Sequence, residues 1–245
     1  MLISHLHKFI YLKTIKTAGS SVEEALYPYL GEEDIAAASG EHLQKNNKYD
    51  FFEHDGPEVI ISRIGKAIWD EYDIIANIRN PWDAQVSLFH FVHSDWVSPL
   101  APPKKINKGQ TIGMGASFRH PMTGADRIID NSCAEFDEDG VVQAPKELFE
   151  NWVFTDRCYR TNCGFLFDEN GKHIPDIVLR YENLQQDYNS LCDKFNIPRN
   201  TLPRRKVEAR QTWKQTDYKK YYTEKSRKLI EKYSKQVIEY YGYKF

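Results

Sequence analysis

The chain has 245 residues, of which 41% are hydrophobic, 13% aromatic and 28% charged, and its formal net charge is −2. This composition supports a folded core and excludes a disordered chain. The near-neutral charge removes the electrostatic case for a nucleic-acid binder, and no apolar run is long enough to span a bilayer. The opening MLISHLHKFIYL is short for a signal peptide and leads into a strand, so the expected setting is cytoplasmic. Cys133, Cys158, Cys163 and Cys192 include no C-x-x-C pair and lack zinc-site spacing. Reduced thiols are the expected state, with a Cys158–Cys163 disulfide as the alternative.

The first predicted element is FIYL, residues 9–12, a short apolar run of strand formers. Beyond it, Ser20 and Glu23 have the S-x-x-E spacing of a capping box, and Val22, Ala25, Leu26 and Tyr29 follow helical spacing. Pro28 should end or kink that helix. The segment EHDGPEVIISRIGKAIW predicts another helix, with Asp55 as N-cap, Pro57 near the first helical position and Glu58 completing the box. YDIIANIRNPWDAQVSLFHFV then predicts a buried strand over 74–78 and a helix capped by Asn80, with Pro81 in its first turn and Asp83 at the third position. Two strand–loop–helix units in succession predict an α/β fold with a parallel sheet, organised as a single domain over 1–245.

Residues 95–150 contain PLAPPKK and several glycines with little period, and are expected to form an irregular insertion or lid that shapes a substrate site. FLFDENGKHIPDIVLRYENL predicts a hairpin turning at Asn170-Gly171, its second arm ending at Tyr181. Asn183 and Gln186 open a helix carrying Leu184, Tyr188, Leu191 and Phe195. A last helix begins near Thr223 with Leu229, Ile230, Tyr233, Val237 and Ile238 on one face, and Gly242 stands where a helix-ending glycine belongs.

Two constellations in this pattern point to an anionic ligand. In KTIKTAGSS a strand feeds a helix through a glycine-containing turn, which aims backbone N–H groups and the helix dipole at one spot. Gly19 is expected to let a ligand approach, Ser20 and Ser21 offer hydroxyls, and Lys16 supplies a mobile charge. The lysine precedes the glycine, which is the reverse of the common triphosphate loop. Taken alone, this segment reads equally well as a tight turn with a surface lysine. The second constellation is Arg79, at the end of the second strand where open α/β sheets bind ligands, with Ser87 eight residues later on the following helix. Arg79 read alone is a salt-bridging arginine, and Ser87 a helix hydroxyl bonded to its own backbone.

Together these segments resemble the sulfotransferases that use 3′-phosphoadenosine 5′-phosphosulfate, in their carbohydrate-type and bacterial branch. KTIKTAGSSVE is similar to the 5′-phosphosulfate loop of that family and RNPWDAQVS to its 3′-phosphate motif, while VLRYENL and YYGYKF resemble recurrent later segments. The resemblance covers both ends of the chain and implies a P-loop-like central parallel sheet flanked by helices. It implies that Lys16 meets the bridging oxygen of the leaving phosphate. Thr17, Ala18, Gly19, Ser20 and Ser21 would hold the 5′-phosphosulfate, and Arg79 and Ser87 the 3′-phosphate. The co-substrate is then 3′-phosphoadenosine 5′-phosphosulfate, with no metal, and the partner is a small-molecule or carbohydrate acceptor. Arg204, Arg205 or Lys206 could add a late cationic contact or form a solvated loop.

Sulfonyl transfer needs a base for the acceptor's proton. The related carbohydrate enzymes often place a histidine between the two motifs, which favours His54; its rivals are Glu53, His42, His90 and His93. The competing functions are a magnesium-dependent small-molecule kinase and a non-catalytic nucleotide-binding protein. The first would need an acidic residue ending a buried strand, where this chain has NIRNP.

Overall fold

The computed structural model describes residues 1–38, 40–93, 118–119, 126–127, 135–136, 142–143, 146–154, 162–205 and 217–245. The chain divides into two compact units, Met1–Pro81 with Arg160–Arg205 and Ser234–Lys244, and Trp82–Tyr159 with Lys206–Tyr233 and Phe245. In chain order the first unit runs β1 (Leu2–Ser4), β2 (Phe9–Leu12), α1 (Gly19–Leu26), β3 (Ile35–Ala37), β4 (Gln44–Lys45), α2 (Pro57–Ile64), α3 (Lys66–Glu71) and β5 (Asp73–Ile78). Helix α4 (Pro81–His93) leads into the second unit. There, short ribbons pair Phe118–Arg119 with Asp126–Arg127 and Glu135–Phe136 with Val142–Gln143, followed by α5 (Lys146–Val153). Most of the expected insertion over 95–150 lies outside the described residues.

The first unit is an α/β fold built on one mixed sheet of six strands. Its third segment supplies α6 (Cys163–Leu166), a strand Ile177–Arg180 and α7 (Leu184–Lys194). That strand, β5 and β2 run parallel, with Leu12 opposite Ala76 and Arg180 opposite Ile78. On the other side β1, β3 and β4 add antiparallel strands, so the expected parallel sheet is parallel only in half its strands. The residues of MLIS are too few to show a period, and they pair as a hairpin with FIYL, Leu2 opposite Tyr11. Asp34 fixes the turn between these strands: its buried carboxylate accepts from Ser4 Oγ at 2.6 Å and from the amides of His5 and Gly31 at 2.7 and 2.8 Å.

Strand alternation sorts the core. Phe9, Tyr11, Ile75 and Leu179 face one side, against Val22 and Leu26 of α1 and Tyr188 and Leu191 of α7. Ile10, Leu12, Ile74, Ala76 and Ile78 face the other, against Ile60 and Ile64 of α2, Leu166 of α6 and Val237. A strand buried on both faces reads as an unbroken apolar run, which is why FIYL and DIIANI are legible as strands. Burying each large aliphatic contributes roughly 1.5–3 kcal/mol.

Several local expectations change. Ser20 and Glu23 form no capping box: α1 starts at Gly19 behind Ala18, and the Glu23 carboxylate turns inward to Lys13 Nζ at 2.7 Å. At α2 the N-cap is Gly56 and Pro57 is the first helical residue; Asp55 instead accepts from Phe52 N at 2.9 Å, closing the turn before the helix. The hairpin at Asn170-Gly171 shrinks to a single bridge, Phe167 with His173, because its first arm is α6 and its second pairs with β5. The last helix is two, α8 (Glu224–Tyr233) and α9 (Lys235–Tyr241), separated at buried Ser234 where the chain passes from one unit to the other. Gly242 ends α9 at φ +71°, as the sequence requires. The α1 helix stops at Leu26, with Pro28 inside a following 3-10 turn.

The second unit is held by aromatic packing. Phe89 of α4 meets Phe149 and Trp152 of α5 edge to face, and Phe149 meets Tyr222 at 4.8 Å. His90 is buried there, with Nε2 at 2.8 Å from the Tyr221 hydroxyl.

Candidate functional site

The carboxyl ends of the three parallel strands carry the candidate site, the position where open α/β sheets bind ligands. Leu12 leads into the loop 13–18, Ile78 into Arg79, and Arg180 into Tyr181. The loop holds two non-glycine residues in the left-handed region, Lys16 at φ +61° and Ala18 at φ +66°. Each such residue stores of the order of 1–3 kcal/mol of backbone strain, which persists only where the surroundings over-determine it.

Those surroundings are polar and mostly buried. Asn77, fully buried in β5, accepts from the Tyr11 hydroxyl at 3.0 Å and donates to the Thr17 carbonyl at 3.0 Å. Thr14 Oγ1 donates to the Asn77 carbonyl at 2.7 Å and lies 2.7 Å from Thr17 Oγ1. Thr17 is therefore a buried residue whose hydroxyl is engaged inside the loop. Asn162 bonds the peptide groups of Ile15 from the far side, accepting from its N at 2.7 Å and donating to its O at 3.1 Å.

Beneath the loop, Lys13 is only 3% exposed and its ammonium reaches the carboxylates of both Glu23 and Glu53. A side chain at Gly19 would put Cβ 2.8 Å from Lys13 Cγ and 3.2 Å from the Tyr11 hydroxyl oxygen. Gly19 thus makes room for Lys13 from inside, and Lys16 and Ala18 adopt the backbone twist that a glycine would supply. Among the described residues no acceptor meets the amide N–H of Ala18 or Gly19, at the start of α1 where the helix dipole is positive. Ser20 is half-buried in the first turn, and the Ser21 hydroxyl accepts from the Arg205 amide at 3.4 Å.

His54 and Arg79 both attach to this loop. His54 Nδ1 lies 2.8 Å from the Lys13 carbonyl, and a carbonyl only accepts, so Nδ1 carries the proton and the neutral ring keeps its lone pair on Nε2. Burial pushes the His54 imidazole below its ordinary value, and the bond to Lys13 and the Glu53 charge offset this in part. The ring is 36% exposed, with Nε2 at 3.8 Å from Glu53 Oε1. Arg79, 6% exposed, donates from Nη1 to the Lys16 carbonyl at 3.0 Å, and its guanidinium lies 3.8 Å from the centre of the Tyr181 ring.

The structure thus gathers Lys16, Thr17, Ala18, Gly19, Ser20, Ser21, His54 and Arg79 in the first unit, while Ser87 is a half-buried residue of α4 in the second. Among the rivals to His54, Glu53 is engaged by Lys13, His42 is exposed, and His90 is buried against Tyr221. The Arg205 guanidinium is held by Glu24, whose carboxyl it keeps below the usual range, and Arg204 is exposed. Lys206 lies outside the described residues, as do Cys133 and Cys158, whereas Cys163 and Cys192 are free thiols.

Lys13, Asn77, Asn162 and Tyr181 escape a reading by motif. Asn77 did leave a signal, because an amide inside an apolar strand run must find buried partners. Asn162 did not, since before Cys163 it looks like an ordinary helix cap. Among the described residues, no helix is long and apolar enough to cross a membrane. Comparison of the chain with family models, with curated proteins and with solved structures returns no match.

Proposed function

We propose that this protein is a sulfotransferase that moves the sulfonate of 3′-phosphoadenosine 5′-phosphosulfate to a hydroxyl or amine acceptor, on a P-loop-like arrangement of its three parallel strands. The observation that carries the reading is convergence. The base, the lysine and the arginine all attach to residues 13–16, His54 through the Lys13 carbonyl and Arg79 through that of Lys16. The motif resemblance supplies the identity of the donor, and the amides of residues 18 and 19 supply a fit for its 5′-phosphosulfate.

In this mechanism His54 Nε2 takes the proton of the acceptor as its oxygen or nitrogen attacks sulfur, while the bond from sulfur to the bridging oxygen breaks in line. Lys16 neutralises the charge that develops on the departing phosphate, and the loop amides hold the phosphate oxygens. Arg79 meets the 3′-phosphate. The acceptor is a small molecule or carbohydrate, and the cell compartment in this reading is the cytoplasm.

The test is transfer of labelled sulfonate to a mixed acceptor panel, with product mass analysis, in the presence and absence of a chelator. Sulfonated product whose yield survives chelation is expected. Transfer of phosphate from ATP that requires magnesium would replace this reading with a kinase, and binding without any transfer would leave a nucleotide-binding protein.

A further inference from the structure

Asn162 stands directly before α6, in the position where an asparagine side chain ordinarily accepts from the helix's own first amides. It forms no such cap. Its side chain is turned to Ile15 instead, with Oδ1 accepting from the Ile15 amide at 2.7 Å and Nδ2 donating to the Ile15 carbonyl at 3.1 Å. Only one orientation of the amide satisfies both bonds, because the peptide N–H must face oxygen and the carbonyl must face nitrogen. The pattern is that of two residues exchanging both bonds in an antiparallel ladder, with a side chain standing in for the missing strand.

The residue so held is not arbitrary. Ile15 comes immediately before Lys16, the first of the loop's two left-handed non-glycine residues, and three residues before Ala18, the second. The opposite side of the loop is fixed by Asn77 to the Thr17 carbonyl and by Arg79 to the Lys16 carbonyl. With Asn162 in place the backbone of Ile15, Lys16 and Thr17 is held from both sides, the over-determination that a strained loop needs.

We infer that Asn162 is a positioning residue for the anion site. It holds loop 14–18 in its strained conformation before any ligand arrives, so anion affinity depends on its two bonds although it touches no ligand. This inference rests on the anion-binding reading of the loop but not on the choice of sulfonate donor.

The experiment compares the wild-type protein with Asn162→Ala and Asn162→Asp by calorimetric titration with inorganic pyrophosphate, 3′-phosphoadenosine 5′-phosphate and 5′-AMP, and by hydrogen exchange of the Ile15 amide. In Asn162→Ala, both bonds are lost. Ile15 exchange should accelerate at least about tenfold while Ile10 in β2 stays protected, and pyrophosphate affinity should fall about five- to fiftyfold. Asn162→Asp keeps the acceptor but not the donor, and should retain Ile15 protection more fully than the alanine variant. Unchanged pyrophosphate affinity in Asn162→Ala would overturn the inference, as would unchanged Ile15 exchange or a wild-type protein that binds no pyrophosphate. If the wild type binds pyrophosphate but does not prefer 3′-phosphoadenosine 5′-phosphate over 5′-AMP, the donor assignment fails and the positioning role stands on the pyrophosphate result.

Discussion

The two halves of the sheet differ in what they do. The parallel half, β2, β5 and Ile177–Arg180, ends in the strained loop of Lys16 and Ala18, in Arg79 and in Tyr181, and its β5 supplies the Asn77 amide that clamps the loop. The antiparallel half, β1, β3 and β4, carries no candidate site residue in its strands, and the buried carboxylate of Asp34 beside it binds turn amides and a serine hydroxyl. The physical reason is directional. Parallel strands deliver their carboxyl ends, and the loops that follow, to one edge, whereas antiparallel neighbours alternate ends. Substitutions in the two halves should therefore separate chemistry from stability.

The largest effect expected is at His54. His54→Ala should lower kcat for sulfonate transfer by about 10²–10⁴-fold, the usual worth of a general base, while leaving donor affinity nearly unchanged. Unchanged turnover would transfer the role to Glu53 or His42.

The sharpest contrast comes from the antiparallel half. Asp34→Ala removes an acceptor shared by Ser4, His5, Leu6 and Gly31. It should cost about 2–4 kcal/mol of unfolding free energy, because hydrogen bonds to a charged group are worth about 1.5–3 kcal/mol and buried donors are left unpaired. Affinity for 3′-phosphoadenosine 5′-phosphate, measured below the lowered Tm, should stay within about twofold of wild type, since among the described residues Asp34 shares no bonding partner with the loop of Lys16. A large loss of affinity would dissolve the distinction between the halves.

Arg79→Ala should weaken 3′-phosphoadenosine 5′-phosphate about ten- to a hundredfold, the loss of one or more charged hydrogen bonds, and should change 5′-AMP much less. Equal losses for both nucleotides would show that Arg79 acts on the loop through the Lys16 carbonyl and not on a 3′-phosphate.

The smallest effect is a pH shift. Burial lowers the His54 pKa, so the folded ring stays neutral to lower pH than a free imidazole. The acid limb of kcat should lie below the unperturbed value of about 6.5 and be absent in His54→Ala. With the same sign, the unfolded chain binds this proton more readily than the folded one, so His54 costs stability as pH falls below about 6.5. A limb above 6.5 would mean that the Glu53 charge outweighs burial.

How much of this was legible before the fold was known depended on how local the cause is. FIYL and DIIANI declare themselves by apolar content, Gly242 by the left-handed turn it must make, and Pro57 and Pro81 by their fixed φ at helix starts. Sequence order alone puts Lys16 and Gly19 after the first strand and Arg79 at the end of the second. The capping boxes failed because Glu23 and Asp55 had stronger distant or competing partners, Lys13 and the Phe52 amide, which a local spacing rule cannot see.

The sequence by itself determined that FIYL and residues 74–78 are strands, that a helix follows each of them, and that Lys16 and Arg79 come after their carboxyl ends. Only the tertiary structure decided that half the sheet is antiparallel, that Gly19 accommodates Lys13, that His54 keeps its lone pair on Nε2, and that Asn162 reaches Ile15 across 147 positions of chain. Periodicity and capping arise from neighbours within a few residues, so one chain segment encodes them. A buried amide or ion pair is satisfied by whichever group the packing brings within about 3 Å, and no segment read alone contains that information.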